Sequence, residues 1–252
     1  MSQTPPRIPR RRIPLVVGTT AAVVAGVVAI AIGVNQANNA GVVAPTPRPT
    51  ATPTAAPSAS SSASTTSCAG ASFGSDLTPL NPPADAHKYA APPPLEIDAT
   101  KLYQATIHTA KGDLVLCLDP KLAPNTVNNF VVLARNHFYD GIPFHRIVAG
   151  FVIQGGDPSC LGNVNAPTCG SGGPGYKFND EPVKGAYTKG CVAMANSGAN
   201  TNGSQIFICI ADDTKALQPL YNLFGYVQSG MSVALQIAKG DLMETVSVKQ
   251  QQ

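Results

Sequence analysis

The feature that most constrains this chain is a change of composition near residue 95. Before it, Ser, Thr, Ala and Pro crowd the sequence; after it come Phe, Tyr, Ile and apolar runs punctuated by Gly. Only the second part can bury enough apolar surface to offset the entropy of ordering a chain. The 252 residues are therefore expected to hold one folded domain, over 96–252, rather than two.

The first part divides further. Residues 1–12 form a short basic tail with Arg7, Arg10, Arg11 and Arg12. From Ile13 to Val34 there is no charge, and at 1.5 Å per residue this run spans roughly 33 Å, enough to cross a hydrocarbon core of about 30 Å. An Arg cluster ahead of such a span favours an N-terminus kept in the cytoplasm. The expectation is a single-pass cell-membrane anchor with everything after Val34 outside. A removable signal peptide is the alternative, but its apolar stretch is usually only about 7 to 15 residues. Residues 35–95, with PTPRPTATPTAAP and SASSSASTTS, read as a disordered linker with an r.m.s. reach of roughly 40 to 47 Å.

Net charge is +3, and the four arginines of the tail exceed it. The folded part is thus near neutral, which excludes the basic footprint of a nucleic-acid binder. Six cysteines stand at 68, 117, 160, 169, 191 and 209, none in a CxxC pair, so a zinc-finger arrangement is not expected. Cys160 and Cys169 sit in a Gly-, Asn- and Pro-containing loop and suit a loop-closing disulfide in an oxidising compartment, the alternative being two unpaired thiols. His87, His108, His137 and His145 lack the spacing of metal ligands, and no metal is expected.

Beyond the linker, period-2 alternation predicts strands at Tyr103 to Thr109 and Asp113 to Leu118, joined by a tight turn. Pro124 and Asn125 open a helix of about three turns whose Val127, Phe130, Val131 and Ala134 form a buried stripe. Short strands follow at Phe144 to Val148, Phe151 to Gln154, Cys191 to Ala195, Gln205 to Ile210 and Leu223 to Val227. A second helix is expected over Ser232 to Ala238, with a closing strand from Glu244 to Val248. The fold class is mainly β: a closed antiparallel eight-stranded barrel capped by two helices.

Three segments carry the chemistry: FHRIVAGFVIQGGD from Phe144, CVAMANSGANTNGSQIFIC from Cys191 and LFGYVQSGM from Leu223. In order and spacing, from about Leu102 to Val248, the chain resembles the cyclophilin family of peptidyl-prolyl cis/trans isomerases. The resemblance implies a monomer that acts on proline-containing polypeptides without a cofactor. It implies Arg146 as the catalytic residue and Phe151, Val152, Phe207 and Leu217 in the proline pocket. Gln154, Ala195, Asn196, Gln205 and Tyr221 would complete the groove. Gly170, Gly172, Gly173 and Gly175 superficially suggest a phosphate loop, but no Lys-Ser or Lys-Thr follows them. Asn202 heads a glycosylation sequon inside the second segment, where a structural turn is the expected role.

The reaction needs no bond broken. Rotation about an X-Pro bond costs about 18 to 20 kcal/mol because the amide loses resonance. An apolar pocket favours the less charge-separated twisted form, and a guanidinium with fixed donors can bond the freed prolyl nitrogen or the turning carbonyl. Three positions depart from the family's usual residues: Ala216 for a tryptophan, Tyr221 for a histidine and Val152 for a methionine. A non-catalytic module that holds proline peptides in the same groove is the second reading, and an unrelated ligand-carrying barrel the third.

Overall fold

The structure, a computed structural model, describes residues 68–252. The basic tail, the 13–34 span and the linker up to residue 67 lie outside the described residues. Among the described ones no helix is long and apolar enough to cross a membrane.

Among the described residues eleven strands and two α-helices follow in chain order: β1 (Phe73–Asp76), β2 (Tyr103–Thr109), β3 (Gly112–Leu118), α1 (Pro124–Arg135), β4 (Ile142–Pro143), β5 (Arg146–Val148) and β6 (Val152–Gly155). After a 3₁₀ turn at Pro158–Cys160 come β7 (Cys191–Met194), β8 (Ile206–Cys209), β9 (Leu223–Ser229), α2 (Met231–Ala234), β10 (Leu242–Met243) and β11 (Thr245–Gln251). Nine strands make one sheet in the order β1-β11-β2-β3-β9-β7-β8-β6-β5, and β4 pairs with β10 in a small second one.

Two expectations are corrected here. The eight-stranded closed barrel becomes a nine-stranded sheet, and no ladder among the described residues joins its end strands β1 and β5. The linker expected to run to residue 95 carries structure from Cys68 onward. Cys68 is disulfide-bonded to Cys117 of β3, β1 pairs with β11, and the Leu77 amide donates to the Val248 carbonyl at 2.7 Å. A 49-residue separation makes this bridge worth about 4 kcal/mol through restriction of the unfolded chain. That staple and the edge hydrogen bonds order a segment too poor in apolar residues to order itself.

The β2–β3 hairpin follows from its alternation: Tyr103, Ala105 and Ile107 of β2, with Leu114, Leu116 and Leu118 of β3, are fully buried in the main core. The turn is fixed by Thr109, whose hydroxyl donates to the Gly112 carbonyl and accepts the Lys111 amide. Helix α1 starts at Pro124 with no side-chain cap of its own. The carboxylate of distant Glu181 instead accepts the Asn125 and Thr126 amides and the Thr126 hydroxyl, satisfying donors that a helix N-terminus leaves orphaned. The predicted stripe of Val127, Phe130, Val131 and Ala134 is buried. Helix α2 is shorter than expected and starts one residue earlier, just after Gly230 with its left-handed φ of 90°.

Candidate active site

The strands β6, β8 and β7 are short, and every second residue faces the same way. Ile153, Val192, Met194, Ile206 and Ile208 point into the main core with Phe130, Phe138, Tyr139 and Phe224. Val152, Ala193, Cys191, Phe207 and Cys209 point to the opposite face and form a second cluster with Leu122, Tyr187, Leu223 and Tyr226. Two expected pocket residues, Phe151 and Leu217, and two expected groove residues, Ala195 and Tyr221, pack half-exposed against this second cluster.

Register then decides what stands beside that cluster. Arg146 lies opposite Gln154, Gln154 opposite Phe207, and Phe207 opposite Ala193. Directly opposed residues share a face, so a guanidinium, an amide and an aromatic ring stand in one row across β5, β6 and β8. The Arg146 Nη1 donates to Gln154 Oε1 at 3.2 Å, and Gln154 Nε2 donates to Gln205 Oε1 at 3.0 Å. Arg146 is half-buried, and no carboxylate among the described residues forms an ion pair with it.

The row is anchored beyond Gln205. Its Nε2 lies 3.0 Å from the Gly172 carbonyl, 3.1 Å from that of Gly170 and 3.3 Å from Asp157 Oδ2. Asp157 is fully buried. Its carboxylate accepts the Ser159 amide and hydroxyl on one oxygen and the Gly170 and Gly172 amides on the other. A Cβ at Gly172 would collide with that carboxylate and with the Ser159 side chain, so glycine is what lets the loop close over the aspartate. The Cys160–Cys169 disulfide closes the same loop.

Next to the apolar half lies a polar cavity of about 610 Å³, lined by Gln154, Ala195, Asn196 and Gln205 together with Tyr176, Lys177 and Thr201. Asn196 does not offer its side chain there freely: Nδ2 donates to the Leu220 carbonyl and Oδ1 accepts the Gly198 amide. It holds the loop that carries Leu217 and Tyr221. Asn202 is buried and donates to Asp180 Oδ1 at 2.8 Å, the structural-turn role expected of it.

Sequence reasoning missed several residues that shape this site. Tyr187 is buried under the rim: its hydroxyl donates to the Tyr221 carbonyl and accepts the Tyr221 amide, and burial pushes its pKa up to about 12. Tyr221 in turn meets Phe207 edge-on, with ring centroids 5.5 Å apart. Asp213, 3% exposed, holds the amides of Ala216 and Leu217 on its carbonyl. Burial, reinforced by neighbouring Asp212, pushes its carboxyl up to about 6. Cys191 and Cys209 are disulfide-bonded across β7 and β8. Strand alternation signals their shared face, but nothing in the sequence spacing selects the pair. Ala216 is exposed.

Residues 104–252 match the family described as cyclophilin type peptidyl-prolyl cis-trans isomerase/CLD, more than half of the chain. The chain belongs to the cyclophilin-type peptidyl-prolyl cis-trans isomerase family. Relatives include a peptidyl-prolyl cis-trans isomerase of Helicobacter pylori, 40% identical over 155 residues that cover 60% of this chain and 90% of that protein. Another is peptidyl-prolyl cis-trans isomerase B of Streptomyces anulatus, 43% identical over 56% of this chain and 85% of the relative. The crystal structure of a cyclophilin-type isomerase of Cryptosporidium parvum superposes with a TM-score of 0.52 at 28% identity, covering 58% of this chain and 97% of that one. With the family comes the reaction class, isomerisation of the peptidyl-prolyl bond.

Proposed function

We propose that this chain assists protein folding outside the cytoplasm by isomerising X-Pro bonds, with Arg146 as the catalytic donor and the Phe207 cluster as the proline pocket. The observation that carries the reading is the single row of Arg146, Gln154 and Phe207 on the open face of the sheet. A proline ring set against Phe151, Val152, Phe207, Leu217 and Tyr221 leaves its nitrogen and the preceding carbonyl towards the arginine. The guanidinium carries five directed donors and stays charged. Held at one edge by Gln154, it keeps donors for the twisted amide, and binding that form more tightly than either planar isomer lowers the barrier. Gln154, Gln205 and Ala195 line the cavity on the far side of the turning bond and would take the flanking peptide.

The same face also suits a module that holds proline peptides without turning them over, and kcat/KM on a short Ala-Pro peptide separates the two. Arg146→Ala is expected to lower it by about two to three orders of magnitude, as when one transition-state donor is lost. Arg146→Lys is expected to restore little, since an ammonium lacks the planar fork. A folded Arg146→Ala protein with unchanged turnover would remove the assignment. The location rests on the uncharged run from Ile13 to Val34 behind four arginines. Protease added to intact cells should release the domain, and protection of the domain would refute this part alone.

A further inference from the structure

His145 is an anomaly. It is only 8% exposed, yet neither ring nitrogen has a hydrogen-bond partner. In a native fold a buried polar group left without a partner calls for an explanation, and a bound ion is one of the few available. The Nε2 edge of the ring faces the loop at Gly170. A ring nitrogen of His145 and the two sulfurs of Cys160 and Cys169 all lie within 4.8 Å of one another. Burial is the largest effect on the imidazole and holds its pKa down; Asp157 opposes it, and Arg146 and Lys239 add to it. A neutral imidazole keeps a lone pair for a metal.

In the oxidised chain the two sulfurs are bonded to each other. We propose that, once a dithiol reductant has opened Cys160–Cys169, His145 and the two cysteine thiolates form a zinc site that closes the same loop. The reductant's two thiols become its own disulfide while Cys160 and Cys169 become thiols. Each then gives up a proton as it binds, so zinc uptake releases two protons.

Four arguments support zinc at this place. Two thiolates and an imidazole are soft and borderline donors, which select zinc over calcium or magnesium. In a tetrahedral site with Zn–S of about 2.3 Å and Zn–N of about 2.0–2.1 Å, ligand atoms stand roughly 3.5–3.8 Å apart, so the imidazole nitrogen, already within 4.8 Å of both sulfurs, need approach by only about 1 Å, while the two sulfurs separate once the bond between them is opened. Residues 161–168 between the cysteines are exposed or half-exposed and can absorb that movement. Finally, a doubly charged cation with two thiolates is neutral, as the disulfide is, so Arg146, Lys239 and Asp157 meet no new net charge.

Selectivity follows from burial. Cys169 is half-exposed, whereas Cys68, Cys117, Cys191 and Cys209 are at most 1% exposed. A reductant therefore reaches the loop bridge before the other two. Because Cys169 adjoins Gly170, whose carbonyl accepts from Gln205, the metal would keep this loop shut in reducing conditions as the disulfide does in oxidising ones. The site stands on its own atoms and does not depend on the catalytic role of Arg146.

The test uses the full chain, treated briefly with a dithiol, freed of it without oxygen and titrated with zinc against a chromophoric chelator. Native mass spectrometry counts the bound metal, and cobalt substitution reports thiolate ligation by its charge-transfer absorption. We expect one zinc per reduced chain and none in the oxidised chain. The Cys160→Ser/Cys169→Ser protein, with the other two bridges intact, should take up none. The His145→Asn protein should bind at least about tenfold more weakly, because one ligand is lost. Equal uptake by the oxidised chain or by the double serine variant would overturn the proposal. So would binding by His145→Asn within about twofold of the parent, provided its unfolding transition shows that it is folded.

Discussion

The two faces of the β6–β8–β7 sheet are built from the same kinds of residue but are finished differently. On the inner face Phe224 packs against Phe130 at 5.5 Å, and both are fully buried among aliphatic neighbours. On the outer face Phe207 is also buried, at 5% exposure. Its neighbours Phe151, Leu217 and Tyr221 are half-exposed, however, and the row continues into Gln154 and Arg146 rather than into more carbon. An apolar cluster left unroofed and bordered by a charged donor is what a proline-binding face requires, and it stabilises the fold less than a closed core does.

The largest effect expected from breaking this contrast is on the inner face. Phe224→Ala should cost about 3–5 kcal/mol of stability, the range for a fully buried phenylalanine whose site cannot collapse. The kcat/KM of the fraction still folded should stay within about twofold of the parent. Phe207→Ala should reverse the emphasis. Water can enter the space it leaves, so the stability loss should fall near the bottom of that range, about 3 kcal/mol, while kcat/KM drops at least tenfold. Chemical denaturation and the Ala-Pro turnover assay measure both in parallel. If the two variants lose stability and activity in the same proportion, the faces are not functionally distinct.

How much of this was legible in the sequence depends on whether local pattern or long-range pairing decides a feature. Strands β2, β3, β6 to β9 and β11, and helix α1, are set by period-2 or period-3.6 runs, and their positions were read to within a few residues. The row of Arg146, Gln154 and Phe207 was legible only through the family resemblance: Arg146 and Gln154 meet across a short hairpin, but the pairing of Gln154 with Phe207 on β8 is long-range and leaves no local trace. Strands β1, β4 and β10 were missed for the same reason: each is two to four residues long and exists only through its partner. Asp157 was passed over because an acid after two glycines looks like an ordinary turn. Its importance comes from four donors brought to it by a loop that ends 15 residues later.

The smallest effect concerns the wall that carries Leu217, and it sharpens the comparison through pH. Asp213 is buried beneath that wall with one carboxylate oxygen unpartnered, and its pKa is raised from 3.8 to about 6. The native state therefore binds this proton between about pH 4 and 6 while the unfolded chain has released it. Stability from this group is fully present below the unfolded value and is lost as pH rises through about 6. Asp213→Asn keeps the size and removes the charge, so it should raise stability at pH 7 by on the order of 1 kcal/mol and leave it nearly unchanged at pH 4. Because the Ala216 and Leu217 amides bond the Asp213 backbone carbonyl rather than its side chain, the wall should keep its place and turnover should hold. Thermal unfolding of parent and variant from pH 4 to 7.5 provides the measurement. Parallel curves across that range would show that Asp213 ionises as freely in the native fold as in the unfolded chain, and that the outer face carries no buried charge penalty at this wall.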